Sequence, residues 1–435
     1  MKSCSIFVVS NTLGHLNPAI EFAKQLKLSQ GINSYFVVED AYKSYVLKHG
    51  FFTIQPNSSP FGIGIENALF PSSFSGYLDN LIHRVLNSLY ISRKNDYVSW
   101  ISKVKPSYIF LDSQFEPDIV VINSIPNDFK FEVLLLQTTF YDHIRNHYPA
   151  LFSSYLPNQV LQNRLLNYRF ILQRKFSWFL NFFKFLGFDD ASLIQKNNRK
   201  NTGKETGKVD PLAISGFSSS LRKLILLPQE MEFPNVRISE STSYLGSFIG
   251  SRSEFEHEDE DILFSNARTR YTYIIYISLG TLHVKHSKGR SNVFFERMLS
   301  IAKMKPDALF VISLGGEKLS WEVDIPVNVR IEENVSQCYL LGKVDLFITH
   351  GGVNSIIESI FQVCPMLVIP LNKFSDQNGN AARVEYYQLG QRLHLDHSVS
   401  EILTVINQIL VDSAFYKQNL IKMKARIDYR SEFKS

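Results

Sequence analysis

Short apolar segments alternate with longer helical patterns along the first part of the chain. An apolar segment at residues 5–10 is followed by a Gly-containing loop and by a helical pattern over residues 18–28. A second apolar segment, residues 34–38, precedes another helical pattern that starts at Ala41. Strands that alternate with helices in this way are typical of βαβ units, so we predict a parallel sheet. Later strands of the same sheet are expected at residues 108–111 and 131–136.

The alternation resumes in the second part of the chain, with strands predicted at residues 273–278, 308–313, 345–349 and 366–370. An acidic run at residues 251–261 separates the two series; it cannot bury itself and indicates a solvated linker. We therefore predict an α/β fold of two doubly wound domains, with ligands at the carboxyl ends of the strands. The predicted boundaries are an N-terminal domain at 1–245, a linker at 246–265, a C-terminal domain at 266–412 and a C-terminal helix at 413–435 that packs back on the N-terminal domain.

Residues 168–188 are crowded with aromatic and basic side chains. One interpretation is a helix that lies on a membrane surface. The preferred one is an ordinary helical stretch packed in the N-terminal domain, where its rings line an apolar substrate pocket.

Composition narrows the class of protein. The net charge of +5 over 435 residues is small, and no long basic run points to nucleic acid. The three cysteines are scattered, which predicts neither a disulfide framework nor a metal site. The apolar run at residues 6–9 is too short for a secretion signal, and no stretch is long enough to span a membrane. We expect a cytoplasmic protein, a monomer, without a membrane span.

A glycine-containing loop in the second part of the chain has the features of a phosphate site. The strand predicted to end at residue 349 leads into this loop, and a helical pattern follows it. A helix N-terminus presents unpaired backbone N–H groups and the positive end of its dipole to an anion. Gly351 and Gly352 let the backbone approach a ligand closely. His350, Asn354 and Ser355 can donate hydrogen bonds to phosphate oxygens.

Three further features accompany this loop. The first predicted strand of the same domain ends in a turn that supplies Ser278, Gly280 and Thr281. Glu358 follows in the helical pattern, where it either accepts hydrogen bonds from ribose hydroxyls or is a solvated surface charge. Asp376 and Gln377 combine acceptors with a donor, which suits sugar hydroxyls, although such a pair alone is more often a surface turn.

Together these residues resemble the donor box of the family 1 UDP-dependent glycosyltransferases. The motif is highly specific, and the resemblance extends over nearly the whole chain. The matching positions are Val335, Gln337, Leu340, Asp345, Phe347, residues 349–352, Asn354, Ser355, Glu358, Pro365, Pro370, Asp376, Gln377, Asn380 and Arg383. The resemblance implies the GT-B architecture, two facing Rossmann-like domains of which the C-terminal one binds a UDP-sugar.

The resemblance also implies a role for each matching residue. Val335, through its backbone, and Gln337 would face the uracil, and Glu358 would hold the ribose. The residues expected around the diphosphate are Ser278, Thr281, His350, Asn354 and Ser355, with Gly280 and Gly352 in the two loops. Asp376 and Gln377 would hold the sugar, and Gln377 points to glucose.

Four positions depart from the family pattern, one of them Ser336, where the family has proline. Asn334 stands where the family has an aromatic ring that stacks on the base, and loss of that ring is expected to weaken stacking by about 1–3 kcal/mol. Val363 and Cys364 stand where the family has glycine and valine. Because valine does not readily adopt a positive φ, we expect this loop to differ.

His15 and Asp112 are the candidates for catalysis. His15 lies between the first strand and first helix, and Asp112 follows a later strand, so both are expected at the same edge of the N-terminal sheet. An isolated histidine is more often structural, but imidazole titrates in the range that a general base needs. A carboxylate partner fixes its tautomer and stabilises the imidazolium. The resemblance likewise implies a His–Asp dyad at these two positions.

We therefore expect an inverting hexosyltransferase that moves glucose from UDP-glucose to a hydroxyl of a small lipophilic acceptor, such as a phenolic or foreign compound. A role in detoxification follows from that acceptor class. Phe140 and Tyr141 are the predicted acceptor-binding residues, and neither a metal nor another cofactor is expected. Two alternatives stay open: an inactive protein that binds small molecules on the same fold, and a transferase that acts on a lipid-linked acceptor.

Overall fold

The computed structural model describes residues 3–126, 129–145, 148–199, 207–248, 266–280, 283–315, 324–333, 335–372 and 375–428. The chain divides into two compact units. Unit 1 comprises Met1–Asn146, Arg164–Leu227 and Arg237–Phe248. Unit 2 comprises His147–Asn163, Pro228–Val236 and Ile249–Ser435. Most of the predicted acidic linker lies outside the described residues.

Unit 1 is built from short strands and longer helices. Its strands are β1 (Cys4–Val8), β2 (Asn33–Val37), β3 (Phe52–Ile54), β4 (Tyr108–Asp112), β5 (Glu132–Gln137), β6 (Lys208–Val209), β7 (Phe217–Ser218), β8 (Lys223–Ile225) and β9 (Thr242–Tyr244). Its helices are α1 (Leu13–Gln30), α2 (Asp40–Lys48), α3 (Ile65–Ala68), α4 (Phe74–Val85), α5 (Ser88–Val104), α6 (Asp118–Ile122), α8 (Asp190–Asn198) and all but the start of α7 (Val160–Lys184).

The main sheet of unit 1 has seven strands among the described residues, in the order β3-β2-β1-β4-β5-β8-β9. Every neighbouring pair in it is parallel. The four strands expected from the sequence, β1, β2, β4 and β5, are present with small shifts at their ends. Helices cover the apolar side chains of this sheet, which is why its strands are apolar along their length. The carboxyl ends of β1 and β4 lie side by side at one edge.

Unit 2 contains a second parallel sheet. Its strands are β10 (Tyr273–Ser278), β11 (Ala308–Ser313), β12 (Val329–Glu332), β13 (Leu346–Thr349), β14 (Met366–Val368) and β15 (Gly390–Arg392). Its helices are α9 (His283–Met304), α10 (Gln337–Leu341), α11 (Val353–Phe361), α12 (Asp376–Tyr386), α13 (Val399–Val411) and α14 (Ser413–Asp428). The strand order among the described residues is β12-β11-β10-β13-β14-β15. β11 is buried along its whole length, as expected for a strand covered on both faces.

Two segments of the predicted N-terminal domain are grouped with unit 2, which differs from the boundary at residue 245. Tyr148 and Phe233 from these segments share a buried apolar cluster with Ala382 of α12. The carboxylate of Glu232 accepts hydrogen bonds from Tyr148 at 2.6 Å and from Arg383 at 2.5 Å. These contacts join residues that are far apart in sequence, and local patterns therefore do not reveal them.

The C-terminal helix α14 packs against α11 and α13 of unit 2. Leu420 and Met423 are buried there, and the Lys424 ammonium donates to the carbonyl of Phe361 at 2.9 Å. The expected packing of this helix on the N-terminal domain stays a prediction.

The preferred interpretation of the aromatic segment, that its rings pack inside the N-terminal domain, is wrong for most of them. Phe176, Phe179 and Phe183 are 58–62% exposed on α7. Trp178 and Phe185, on another face of the segment, are half-buried and buried. Within the described chain, none of the helices is both long and apolar enough to cross a membrane.

Candidate functional site

The predicted dyad forms in unit 1. His15 lies in the first turn of α1, and Asp112 is the last residue of β4, so the order of the parallel strands brings their loops together. The imidazole Nδ1 lies 2.7 Å from Asp112 Oδ2. The Asp112 side chain is 1% exposed, whereas that of His15 is 15% exposed. The pair is therefore a buried carboxylate behind a partly accessible imidazole.

The structure keeps Asp112 ionised. Burial raises the pKa of this carboxyl, but the charge and hydrogen bond of His15 and the backbone N–H groups of Gln114 and Ser10 outweigh it, so the net pKa is lowered. Those N–H groups donate at 3.0 Å from Gln114 and 3.1 Å from Ser10. An ionised Asp112 accepts a hydrogen bond from Nδ1–H, so the proton stays on Nδ1 and Nε2 is the basic nitrogen.

Two neighbours of His15 were not predicted from the sequence. The Gln114 amide nitrogen lies 3.3 Å from Nε2, and the Thr138 hydroxyl lies 3.0 Å from Nδ1. Both residues follow strands of the same sheet, Gln114 after β4 and Thr138 after β5. The sequence signal that could have found them is that each follows a predicted strand and therefore lies at the carboxyl edge of the sheet. An amide that donates to Nε2 favours the same tautomer as the Asp112 bond.

Phe140 and Tyr141 are buried, with 1% and 7% exposure. The Phe140 carbonyl accepts a hydrogen bond from the Gln137 amide, and the Tyr141 hydroxyl accepts one from Arg145 at 2.8 Å. Their contact with an acceptor stays a prediction.

In unit 2, the two predicted phosphate loops lie next to each other. Ser278 at the end of β10 pairs with Thr349 at the end of β13, so the loops after both strands leave the same edge of the sheet. The second loop runs directly into α11, whose N-terminal turn contains Asn354 and Ser355. This is the strand, loop and helix arrangement that suits an anion. Thr281 lies outside the described residues.

The glycines of these loops make room for His350 and for the backbone. A Cβ on Gly280 would lie 3.0 Å from the His350 ring, and one on Gly352 would lie 2.9 Å from it. Gly351 has a φ of +94°, and a Cβ there would lie 2.8 Å from a Val368 methyl group. Larger residues at these three positions would displace the His350 ring or the loop.

The residues predicted for uracil and ribose form one polar cluster. The Gln337 amide donates to the Ser355 hydroxyl at 3.0 Å and to the Glu358 carboxylate at 2.5 Å. The Tyr276 hydroxyl donates to the carbonyl oxygen of the same amide at 3.2 Å. Glu358 is 3% exposed, so the alternative of a solvated surface charge is excluded. Val335 is half-buried just before α10.

The predicted sugar-binding pair begins α12. The side-chain carbonyl oxygen of Gln377 accepts a hydrogen bond from the backbone N–H of Leu371 at 2.9 Å. The Gln377 side-chain nitrogen is therefore the group that can donate a hydrogen bond to a ligand. The Asn380 amide donates to Asp376 at 3.1 Å and to the Gly351 carbonyl at 2.9 Å. Asn380 therefore connects the pair to the phosphate loop through a buried side chain. The sequence placed Asn380 in the motif without a role.

The departure at residue 363 does not remove the left-handed conformation. Val363 has a φ of 55°, and the bonds from the N–H groups of Val363 to Ile360 and of Cys364 to Ser359 form a Schellman motif at the end of α11. Val363 adopts the positive φ that valine was expected to avoid, so the chain holds a valine in a conformation that favours glycine. Asn334 lies outside the described residues.

Among the described residues, His, Cys, Asp and Glu side chains form no group of three that could hold a metal ion. The second phosphate loop of unit 2 leads into the N-terminus of α11, which carries its own hydrogen-bond donors. A diphosphate there would meet helix and loop N–H groups and the His350 ring.

A family model described as "UDP-glucoronosyl and UDP-glucosyl transferase" matches residues 224–428. Two curated relatives each match about a third of the chain. UDP-glycosyltransferase UGT4 of Dactylopius coccus is 32% identical over 154 residues, which cover 34% of this chain and 28% of the relative. UDP-glucuronosyltransferase 2B9 of Macaca fascicularis is 29% identical over 158 residues, which cover 34% and 27%. The match thus spans just over a quarter of these relatives' length.

Solved structures match nearly the whole chain in fold. The glycosyltransferase of kitacinnamycin aligns with a TM-score of 0.66 at 16% identity and covers 99% of this chain and 95% of its own. Spinosyn forosaminyltransferase SpnP aligns with a TM-score of 0.62 at 15% identity and covers 98% and 95%. These alignments and the two Rossmann-like halves confirm the predicted α/β, GT-B fold.

Proposed function

We propose that the chain is a UDP-sugar-dependent glycosyltransferase, because residues 224–428 match the model of the UDP-glucoronosyl and UDP-glucosyl transferase family. The observation that carries this proposal is the donor cluster of unit 2. A glycine-containing loop at the start of α11 suits a diphosphate, and the adjoining cluster of Gln337, Ser355 and Glu358 suits a nucleoside.

We assign the donor contacts as the resemblance to the family 1 UDP-dependent glycosyltransferases implies. The diphosphate is held by N–H groups of the two loops and by Ser278, Thr281, His350, Asn354 and Ser355. Gln337 and the Val335 backbone face the uracil, and Glu358 accepts from the ribose hydroxyls. Asp376 accepts from sugar hydroxyls and the Gln377 amide donates to them. Glucose is the proposed sugar, on the strength of the pair of Asp376 and Gln377.

The proposed reaction is a single displacement with inversion at the anomeric carbon. His15 Nε2 removes the proton of an acceptor hydroxyl, and Asp112 stabilises the imidazolium that forms. The acceptor oxygen forms a bond to the anomeric carbon while the bond from that carbon to the β-phosphate oxygen of UDP breaks. The leaving diphosphate carries the negative charge, which the N–H groups and dipole of α11 stabilise without a metal.

Small lipophilic alcohols and phenols are the proposed acceptors, consistent with detoxification of foreign compounds. The proposed compartment is the cytoplasm, because an odd number of widely scattered cysteines predicts no disulfide framework. A monomer is the proposed oligomeric state.

The proposal is tested by incubating the protein with UDP-glucose and a panel of phenols, flavonoids and sterols. We expect release of UDP and a product one hexose residue heavier than its acceptor, with inverted configuration at the anomeric carbon. Binding of UDP or acceptors without any product would favour the inactive binding protein. Activity with UDP-glucuronic acid or another UDP-sugar, and none with UDP-glucose, would overturn the donor assignment alone.

A further inference from the structure

A row of apolar side chains is exposed along α7 in unit 1. The row follows steps of three and four residues, so its members share one face of the helix. Each is 48–62% exposed: Leu165, Tyr168, Leu172, Phe176, Phe179 and Phe183. A surface helix of a globular protein normally turns such a face toward the core.

The opposite face of α7 packs against the rest of unit 1, and some of its residues are polar. Asn167 is 2% exposed and its amide donates to the Arg145 carbonyl at 2.9 Å. The Arg174 guanidinium donates to the carbonyl of Ile214 at 2.6 Å and to that of Ala213. The helix is therefore held to the unit by hydrogen bonds, while its largest apolar face is left outside. Its amphipathic pattern is the reverse of the ordinary one.

Helix α4 has the same reversed pattern. Its exposed residues are Phe74, Leu78, Ile82 and Val85, with 42–78% exposure. Its buried residues include Asn80 and Arg84, at 5% and 0% exposure. Arg84 forms ion pairs with Glu66 at 3.2 Å and Asp190 at 2.6 Å.

The two helices adjoin each other. The Tyr77 hydroxyl of α4 donates to the carbonyl of Lys184, the last residue of α7, at 2.6 Å. The Tyr77 ring stacks on Phe185 with centroids 5.9 Å apart, and the Arg84 guanidinium lies 4.2 Å from the same ring. We call the exposed residues of both helices, the six on α7 and the four on α4, the α4–α7 apolar face.

Charge identifies the partner of this face. α7 carries five cationic residues and no Asp or Glu, and α4 adds one exposed carboxylate, Asp79. Four of the cationic residues of α7 are exposed: Arg164, Arg169, Lys175 and Lys184. By helix geometry, Arg164 and Lys175 lie on one flank of the apolar row and Arg169 on the other. Such flanks match an anionic surface, whereas a second copy of α7 would bring like charges together.

The length of the row argues against a small acceptor as its occupant. Residues 165–183 extend over about 27 Å of helix. A pocket for a small ligand encloses a few side chains in a concave site. A row of this length, convex and flanked by cations, fits an extended surface.

We propose that the α4–α7 apolar face is a membrane-binding surface that inserts its apolar row at the interface of an anionic lipid bilayer. The aromatic and leucine side chains enter the boundary between headgroups and acyl chains, and the flanking Arg and Lys contact lipid phosphates. This surface uses none of the residues proposed for the donor site or the dyad, and it adds peripheral membrane binding to a chain whose described part contains no spanning helix.

The test is flotation of the full chain with phosphatidylcholine vesicles, with and without about 30% phosphatidylserine. We expect binding to the anionic vesicles that falls as salt is raised. The triple variant Phe176→Ser, Phe179→Ser, Phe183→Ser should bind at least tenfold more weakly. The matched control is Leu28→Ser, Val327→Ser, Val411→Ser, which replaces three apolar residues that are 79–89% exposed elsewhere, and it should bind as the wild type does.

A second variant, Arg169→Gln, Lys175→Gln, leaves the apolar row intact and should lose the preference for phosphatidylserine. Circular dichroism and the unfolding temperature establish that each variant is folded. Absence of vesicle binding by the wild type at low salt would overturn the proposal, and so would a serine triple variant that binds as well as the wild type. A concentration-dependent dimer that only this triple variant loses, without vesicle binding, would assign the face to a second copy instead.

Discussion

At the scale of single residues, three polar side chains from two strand ends surround the His15 imidazole. Asp112 and Thr138 lie at Nδ1 and Gln114 lies at Nε2. A buried carboxylate with a lowered pKa fixes the proton on Nδ1, and this arrangement leaves a basic nitrogen partly exposed. The base is therefore oriented before any acceptor arrives, as general-base catalysis requires.

We predict that Asp112→Asn destabilises the fold at neutral pH and that this loss shrinks in acid. The carboxyl has a folded pKa below its ordinary value, so ionised Asp112 contributes stability above about pH 4. That contribution is lost as the pH falls through the lower folded pKa. Unfolding temperatures of the two proteins, measured from about pH 7 down to about pH 3, should converge.

A difference in unfolding temperature that stays constant or widens in acid would contradict this assignment.

The same variant, Asp112→Asn, should lower kcat at least about a hundredfold at neutral pH, because the imidazole loses its fixed tautomer and the partner of its positive charge. Gln114→Ala is the comparison variant for kcat. It removes a neighbour of His15 Nε2 and leaves the hydrogen bond between His15 and Asp112 in place.

At the scale of elements, the donor site depends on how α11 begins and ends. Its N-terminal turn follows the phosphate loop, and its C-terminal end is a Schellman motif with Val363 in the left-handed region. A β-branched residue is strained there by about 1–2 kcal/mol. The Cys364 side chain behind it is 1% exposed and fixes the return of the chain into β14.

We predict that Val363→Gly stabilises the protein by about 1 kcal/mol, because glycine adopts a positive φ without a Cβ clash. Chemical denaturation measures the change. Val363→Ala is the matched control, because it removes the branched side chain but keeps the Cβ, and it should give little or none of the gain. Equal stabilisation by alanine and glycine would show that strain from the Cβ is not the cause.

Local patterns in the sequence were enough to predict most of the strands and the donor loop. β10 and β11 agree with the prediction at both ends, because each is a continuous apolar run with both faces covered. The short strands β8 and β9 were missed, since three residues carry too little periodicity. The contacts of Gln114, Thr138 and Asn380 were also missed. Most of these contacts join positions that are distant in sequence, His15 with Gln114 and Thr138, and Asn380 with the Gly351 carbonyl, and no spacing rule encodes them.

At the scale of the whole molecule, each unit is held together by buried charges as well as by its apolar core. In unit 2, Arg383 and Glu232 pair at 2.5 Å with side chains 0% and 1% exposed, and Tyr148 donates to the same carboxylate. This cluster fastens two segments, His147–Asn163 and Pro228–Val236, to α12, the helix that also carries Asp376 and Gln377.

We predict that Glu232→Gln lowers the free energy of unfolding by about 3 kcal/mol, because it leaves the buried Arg383 charge without its carboxylate. Denaturant unfolding followed by tryptophan fluorescence measures the loss. Glu240→Gln, at an exposed carboxylate, is the control and should change stability by less than about 0.5 kcal/mol. A loss no larger than that of the control would exclude the cluster as a structural support.

The role of His15 as the base is tested most directly by comparing His15→Ala with the wild type, both in UDP release from UDP-glucose and in UDP affinity. We predict that release with an accepted phenol falls at least about a thousandfold in His15→Ala, while the calorimetric affinity for UDP is unchanged. His49→Ala, a histidine after α2 in the same unit, should retain both. Full turnover by the His15→Ala variant would contradict the assignment of His15 as the base.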